Sequence, residues 1–426
     1  MRQVLFSFLA IIGMLFGTVC QATTFTVGNL SYTVLTEEPA EVSVQGAGKT
    51  VTTGDIVIPS EVEYNDKTYQ VTKVASGFFE YTGITSVSIP ASVTTISGGA
   101  FQSCTGPVSV DIAPKCGETI LRISVFEGCT KLASVSLPSS ITEIKTTAFK
   151  NCSKLAQITA YGAAAPTSIS TSAFTGVTLG NISVKVLSSS AQASFADANY
   201  FKNMKEIVVT PIELADDTEN NTMLAKYDGL VADVEVSRTL NVGGYNSLCL
   251  PFAMNAAQIS AAFGTCDIQA LTDANVSANE LELVFNQETE TAAGVPYLIQ
   301  VNETKTSFSV QNVTLRADVS NVQYNGVQFI GIYSPTVLPD NGNLLYVGAG
   351  NQLFYSTGGE IGGLRAYFDI SGVPAGARSA MRLSFGGTTT DMPSVKQEGT
   401  CVKRLEHGVL VIERNGVKYS VTGERL

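Results

Sequence analysis

Three similar phrases follow one another in the sequence: ITSVSIPASVTTISGGAFQSC (84–104), VSVDIAPKCGETILRISVFEGC (108–129) and LASVSLPSSITEIKTTAFKNC (132–152). Sequence that returns at a period of roughly 20–50 residues is typical of stacked repeat architectures. One unit of this length cannot bury an apolar face alone, so neighbouring units have to stack on each other. The repetition therefore predicts a solenoid.

Each unit contains a strand, a proline and a phenylalanine. Alternating apolar residues such as Val87 and Ile89 predict a strand with one buried face, and stacking places these strands in one parallel sheet. A proline follows the strand in several units and ends the ladder because it has no amide hydrogen. The phenylalanines recur at intervals of 22, 25, 23 and 25 residues and are expected in the core: Phe79, Phe101, Phe126, Phe149 and Phe174.

A cysteine stands three positions after the phenylalanine in three units, at Cys104, Cys129 and Cys152. Stacking would bring these thiols close enough for a redox or metal site. We favour a buried column of free thiols, because the next unit has Val177 at this position and keeps the rest of the pattern. Cys116 lies in a longer turn and is expected to be exposed.

The motif I-x-x-V-x-I-P-x-S-V-x-x-I-x-x-x-A-F-x-x-C at 84–104 returns at 132–152 with Leu and Ile exchanges. It resembles the leucine-rich repeats of BspA-like surface or secreted proteins of Bacteroidetes-type bacteria. The resemblance covers about 55–209, and 182–209 looks like a closing unit with a last strand and a helix around 193–199. It implies a leucine-rich-repeat solenoid and, as partner, a host matrix protein. Cys116 and Glu118 depart from the motif, so we expect a less regular coil at 108–129.

The flanking sequence predicts further β structure. Residues 23–54 alternate apolar and polar residues and are expected to form an N-terminal β cap, whereas 210–231 is polar and without period, as in a linker. Many short runs at 232–390, separated by Gly, Asn, Asp and Pro, predict a β-sandwich-like C-terminal domain. The chain is thus expected to be mainly β, with parallel stacked strands of a leucine-rich-repeat solenoid followed by a sandwich. In 391–426, Asn415–Gly416 predicts a hairpin tail. This tail resembles C-terminal sorting or anchoring signals, and a simple added hairpin is the alternative.

Residues 1–22 combine Arg2, an apolar run and small residues ending at Ala22, which is typical of a secretory signal peptide. Cleavage after Ala22 is favoured over a lipoprotein that retains Cys20, because Val19 precedes that cysteine. No later apolar run reaches the roughly 18 to 20 residues that span a bilayer. We therefore expect an exported chain, at the cell surface or secreted, with no membrane-spanning segment after cleavage.

The composition disfavours several classes of function. A net charge of −11 at pH 7 argues against nucleic acid as a partner. The only histidine, His407, lies in the tail, so neither a histidine metal cluster nor a Ser-His-Asp triad is expected in the main domains. GAGKT at 46–50 lacks the first glycine of a phosphate-binding loop, and a strand-like segment follows it.

One acidic patch is dense enough to consider for glycoside hydrolysis: Glu280, Glu282, Glu288 and Glu290. Their spacing by two in strand-like segments favours solvated charge on an outward face. Whether the patch binds a cation stays open. We expect no enzyme, and therefore no catalytic residue, cofactor or metal.

Polar residues alternate with the buried ones along the repeat strands, and such a face binds macromolecules through extended contact. Each of them is also compatible with a plain solvated strand residue. The candidate ligand-binding residues are Thr85, Ser86, Ser88, Ser109, Asp111, Ser134, Ser136, Gln157 and Thr159.

The sequence thus predicts an exported interaction or adhesion protein that binds an extracellular protein or glycan through the solenoid face. The alternative is a carbohydrate-binding or processing protein that acts through the C-terminal domain, with Tyr324, Tyr333, Tyr355 and Tyr367 as its aromatic residues. A structural role in the cell envelope also stays open.

Overall fold

A computed structural model describes residues 23–46, 54–77, 84–106 and 108–386, and beyond them the backbone of four short strands between 388 and 419. The predicted signal peptide, most of GAGKT, Phe79 and His407 lie outside the described residues. In the part of the chain that is described, no helix is long and apolar enough to cross a membrane.

The N-terminal strands form a mixed sheet in the order β1-β2-β3-β6-β5, in which Phe25 stacks on Tyr64 at 4.1 Å between ring centroids. β4, by contrast, pairs in parallel with the first repeat strand and opens the solenoid sheet. The bounds are β1 (Thr24–Val27), β2 (Leu30–Glu37), β3 (Ala40–Gly46), β4 (Gly54–Val57), β5 (Glu61–Tyr64) and β6 (Lys67–Val74).

The repeats build two parallel sheets, which confirms the predicted solenoid. The larger has seven strands in the order β16-β15-β13-β11-β9-β7-β4, and the smaller has the order β10-β12-β14. The elements are β7 (Ile84–Ile89), β8 (Thr95–Ile96), β9 (Ser109–Ile112), β10 (Ile120–Leu121), β11 (Ser134–Leu137), β12 (Glu143–Ile144), β13 (Gln157–Ala160), β14 (Ser168–Ile169), β15 (Ser183–Val186), α1 (Ser189–Asp197) and β16 (Glu206–Val209).

The phenylalanines form a continuous ladder inside the coil, as their spacing predicts. Ring centroids are 5.3 Å apart for Phe101 and Phe126, 5.4 Å for Phe126 and Phe149, and 5.1 Å for Phe149 and Phe174. The planes are nearly parallel, so each ring packs face to face against the ring of the next coil. We call these four residues the phenylalanine ladder.

The coil at 108–129 is less regular than its neighbours because of one buried carboxylate. Glu118 occupies the position of Val93 and Ile141 in the other units and is only 1% exposed. Its carboxylate accepts hydrogen bonds from the amides of Ile96 and Ile120. The smaller sheet is interrupted at this point, since β8 pairs with β6 of the preceding coil but not with β10 of the following one.

Cys116 is buried, so the prediction that it is exposed is wrong. Its thiol donates a hydrogen bond to the carbonyl of Val93 in the preceding coil, at 3.0 Å. The longer turn thus packs against the core at this point, and the thiol is part of that core.

The array closes with β15, α1 and β16, and the closing helix begins earlier than expected because Ser188 caps it by accepting from the amide of Ala191. Residues 210–231, expected as a linker, are part of the next sheet. They contain β17 (Ile212–Ala215), which pairs in parallel with β18 (Val231–Leu240), and a helix, α2 (Asn221–Tyr227), whose Leu224 is buried.

Residues 212–386, here called the sandwich region, carry two main sheets, in the orders β19-β22-β20-β21-β31 and β24-β25-β30-β27-β28. The following strand, β32, adds to the first sheet beside β31. Phe285, Phe329 and Phe368 pack between them. The elements are β17 (Ile212–Ala215), α2 (Asn221–Tyr227), β18 (Val231–Leu240), β19 (Asn246–Cys249), α3 (Ala256–Phe263), β20 (Cys266–Val276), β21 (Leu281–Glu288), β22 (Pro296–Val301), β23 (Lys305–Thr314), β24 (Val322–Tyr324), β25 (Val327–Ile332), β26 (Thr336–Val337), β27 (Leu344–Gly348), β28 (Gln352–Tyr355), β29 (Glu360–Ile361), β30 (Arg365–Asp369), β31 (Met381–Phe385) and β32 (Thr388–Thr389).

The tail contains β33 (Val402–Glu406), β34 (Val409–Arg414) and β35 (Val417–Tyr419). They pair in antiparallel fashion, and Arg414 of β34 is opposite Val417 of β35. The predicted turn residues Asn415 and Gly416 lie outside the described residues.

Candidate binding face

The seven-stranded sheet arranges the candidate residues in two rows across neighbouring strands. The first row contains Ser86, Ser109, Ser134 and Gln157, and continues to Ser183 and Glu206. The second row contains Ser88, Asp111, Ser136 and Thr159, and continues to Lys185 and Val208. We call these two rows, with Thr85, the strand face.

Ser136 is buried, so the expectation that it faces outward on the strand face is wrong, whereas its role in ligand binding stays a prediction. It is 4% exposed, and its hydroxyl accepts from the amide of Ile112 and donates to the Asp111 carboxylate at 2.9 Å. The ladder between β9 and β11 ends at the pair Val135 and Val110. The Ser136 hydroxyl therefore accepts the hydrogen bond of the Ile112 amide, in place of the backbone carbonyl that a longer ladder would supply.

One edge of the strand face is organised by Asp55, which the sequence reading missed. Its carboxylate accepts hydrogen bonds from the hydroxyls of Thr85 at 2.5 Å and Ser86 at 2.6 Å. Both hydrogen bonds lower the pKa of Asp55, and the bond from Ser86 has the larger effect. The signal was present in the sequence, since Asp55 precedes the buried Ile56 in the first strand of the sheet and so points outward.

The middle of the strand face carries hydroxyls that the protein does not use. Ser88, Ser109 and Ser134 are partly exposed on three adjacent strands. Among the residues that the structure describes, none of these three side chains has a hydrogen-bond partner. They are free to donate to and accept from a ligand.

The far edge of the strand face is charged. Ser183 donates to Glu206 at 2.7 Å, and this bond, followed by that of Lys205, lowers the pKa of Glu206. In the second row, Lys185 is exposed and pairs with no carboxylate within the described ranges. The strand face thus has a carboxylate at each edge, Asp55 and Glu206, and the unpaired cation Lys185 lies near Glu206.

The sandwich region lies against the carboxyl ends of these strands. Lys115 pairs with Asp228 at 3.2 Å, and the rings of Tyr161 and Tyr227 meet edge to face at 6.1 Å. Burial, followed by the negative charge of Asp111, raises the pKa of Tyr161. Sequence periodicity carries no information on this contact between distant segments.

Residues 72–207 match the model of the BspA type leucine rich repeat region, in six copies. These residues are BspA-type leucine-rich repeats. The strand face described above belongs to the BspA-type repeats and to β4, which precedes them.

Several solved structures of bacterial leucine-rich repeat proteins are similar to this chain. One from Bacteroides ovatus is 20% identical and covers 45% of this chain and 43% of its own length, with a TM-score of 0.29. The pneumococcal vaccine antigen PcpA is 20% identical over 46% of this chain and 45% of its own length, with a TM-score of 0.28. A leucine rich cell surface protein from Faecalibacterium prausnitzii is 18% identical over 46% and 79%, with a TM-score of 0.21.

The match spans less than half the length of the first two of these structures. A comparison with curated proteins finds no match.

The cysteines of the BspA-type repeats form the expected buried column. Cys129 donates from Sγ to the carbonyl of Phe101 at 2.9 Å, and Cys152 donates to that of Phe126 at 3.1 Å. Burial raises the pKa of the Cys129 thiol to about 12. Within the described residues, neither these two cysteines nor Cys104 forms a disulfide. Within the described residues, no group of His, Cys, Asp or Glu side chains is arranged to hold a metal ion.

Outside the BspA-type repeats, the acidic patch does not converge on one point. Glu280 and Glu282 both pair with Arg382, at 3.1 Å and 3.3 Å. Glu288 and Glu290 lie exposed at the other end of β21. The geometry favours solvated or paired charge over a pair of catalytic carboxylates.

The four tyrosines of the alternative site are not together on one surface. Tyr333 is 2% exposed and donates to the carbonyl of Asp318, so its ring offers no surface to a sugar. Tyr324 and Tyr355 pack against the core between the two sheets. Tyr367 alternates with the buried Ala366 and Phe368 and points outward.

Proposed function

We propose that this chain is an exported interaction or adhesion protein that binds an extracellular protein or glycan through the strand face. The observation that carries the proposal is the set of free hydroxyls on Ser88, Ser109 and Ser134. Seven strands at a spacing of roughly 4.8 Å give a face about 29 Å wide, which suits a macromolecule. Leucine-rich repeats commonly bind protein ligands across such surfaces.

The proposal includes two more specific statements: that the chain is exported, and that its partner is a host matrix protein. The signal-peptide pattern at 1–22 supports export, and the Faecalibacterium protein is described as a cell surface protein. Resemblance to BspA-like proteins supports a host matrix protein as ligand. We further propose that the chain is not an enzyme, a view that its repeat family supports.

Arginine substitutions on the strand face test the proposal. In the intact chain, Ser109→Arg with Ser134→Arg places two long cations where the free hydroxyls lie. Binding to a panel of immobilised matrix glycoproteins and glycans should fall at least about tenfold, which corresponds to about 1.4 kcal/mol. The matched control is Gln102→Arg with Ser153→Arg, because both residues are exposed on turns of the repeats, away from the strand face. Equal binding by both variants and the parent chain would rule out the strand face.

The outer surface of the sandwich region supports a second candidate, glycan binding. Tyr346 and Phe354 stack at 5.8 Å on neighbouring strands, and Tyr367 is on the same sheet and points outward. Partly exposed aromatic rings on a sheet suit the apolar faces of sugars. Under this second function, Tyr367→Ala removes glycan binding, whereas the arginine variant of the strand face keeps it.

A further inference from the structure

A cavity of about 350 Å³ lies where the BspA-type repeats meet the sandwich region. The repeats contribute Thr159 and Lys185 of the strand face, with Leu187 behind them. The sandwich region contributes Ile212 and Met223. The volume is near the lower end of the roughly 300–1,000 Å³ of known ligand pockets, which occur preferentially at domain interfaces.

The walls of this cavity favour an apolar group over a sugar. Leu187, Ile212 and Met223 line it with aliphatic surface. The ring of Tyr161 is buried and meets the edge of Tyr227, so it offers no open platform for stacking. Sugar hydroxyls that meet this aliphatic part of the wall would lose their water without gaining partners there, which costs free energy.

The charges around the cavity favour one orientation of the bound ligand. Lys185 lies on the repeat side and has no carboxylate partner in the described part of the chain. Glu213 lies on the opposite side and stands beside Glu235 in the register of β17 and β18. Two adjacent carboxylates repel a third, so an anionic group on the ligand is favoured only on the Lys185 side.

We propose that this cavity binds a bulky apolar side chain of a polypeptide partner, with a neighbouring carboxylate of that partner against Lys185. The inference rests on the proposed function and deepens it, since Thr159 and Lys185 belong both to the cavity and to the strand face. The cavity is the anchor at one end of the face, and the serine rows contact the rest of the partner.

Small probes test the cavity apart from the face. In an NMR titration of the full chain, N-acetyl-L-phenylalanine should bind roughly fivefold tighter than the neutral N-acetyl-L-phenylalaninamide, as for about 1 kcal/mol from one exposed ion pair. Methyl β-D-glucopyranoside should not bind. Lys185→Gln should remove the difference between the first two probes and leave the amide unaffected.

A cavity-filling variant gives a second readout. Met223→Trp should abolish binding of both phenylalanine probes, whereas Ala225→Trp, an exposed position on the same helix, should not. Lys185 is exposed, so its variant keeps the test valid even if the Met223→Trp chain fails to fold.

Three results would overturn the proposal: equal affinity of the parent chain for the acid and the amide, unchanged binding by a folded Met223→Trp chain, or binding of the glucoside instead. The glycoprotein panel measures the strand face and these probes measure the cavity, so either proposal can fail alone.

Discussion

A left-handed backbone conformation occurs two positions after each ladder phenylalanine, and also two positions before it in the first three turns. The later position has φ of 57° at Ser103, 78° at Gly128, 62° at Asn151 and 79° at Gly176. Glycine and asparagine tolerate this conformation, whereas other L residues pay about 1–2 kcal/mol for it. Ser103 is therefore the residue of this series that fits its backbone least well.

We expect Ser103→Gly to raise the free energy of unfolding by about 0.5–1 kcal/mol, because it relieves this strain at a modest cost in chain entropy. Ser153→Gly is the matched control, since Ser153 is also exposed but has no positive φ. Guanidinium unfolding should show the control to be neutral or less stable. A loss of stability in Ser103→Gly would show that the turn does not strain this residue.

Burial of the thiol column determines its reactivity. The pKa of Cys129 rises from 9.0 to about 12, so at pH 9 the folded chain keeps this thiol protonated while the unfolded chain has about half of it as thiolate. Iodoacetamide at pH 9 should leave Cys129 unlabelled in the folded protein and label it in guanidinium, as read by peptide mass spectrometry. Cys266 is partly exposed and should be labelled in both states. Fast labelling of folded Cys129 would contradict a closed core.

At the scale of the elements, one carboxylate supplies hydrogen-bond acceptors where the smaller sheet is interrupted. Glu118 stands at a core position of its repeat and supplies acceptors to the amides of Ile96 and Ile120, while Arg122 lies 3.5 Å away. The sequence indicated that this coil departs from its neighbours, but not how. A short pattern does not show that a side chain accepts the hydrogen bond that a strand would otherwise supply.

We expect Glu118→Ala to lower the free energy of unfolding by about 2–4 kcal/mol, because it leaves two amides in the core without an acceptor. Glu143→Ala is the control: this carboxylate is more exposed and pairs with Lys145, so its loss should cost less than about 1 kcal/mol. Urea titration compares the two variants. Equal, small effects would show that water replaces the Glu118 carboxylate.

Most of the repeat architecture could be predicted, because ladder and strand positions such as Phe126 and Val135 recur at a local period. The binding face could be predicted only in part. Alternation identified Ser109 and Ser134 as outward residues, but it also selected Ser136, whose hydroxyl is taken by a neighbouring amide. Asp55 and the Tyr161–Tyr227 contact depend on neighbours in the folded chain, which a repeat period does not specify.

At the scale of the whole molecule, Asp233 of the sandwich region joins the two parts of the chain. This buried carboxylate accepts hydrogen bonds from the amide and hydroxyl of Ser189, at the start of α1, and from the amide of Asn312. Asp233→Ala should therefore lower the free energy of unfolding by about 2–3 kcal/mol and speed hydrogen exchange at Ser189. Glu235→Ala, exposed on the same strand, should change stability by less than about 0.5 kcal/mol. Unchanged exchange at Ser189 in the Asp233 variant would show that the two parts are held by other contacts.

The central claim is that the strand face of the repeats meets the ligand, and photo-crosslinking tests it most directly. The photoreactive residue p-benzoylphenylalanine is placed at Ser134 on the face, at Ser153 on a turn, or at Tyr367 on the sandwich region, and each chain is irradiated with the ligand that the binding panel identifies. We predict a covalent adduct from position 134 and none from the other two. An adduct from 367 with none from 134 would contradict the account.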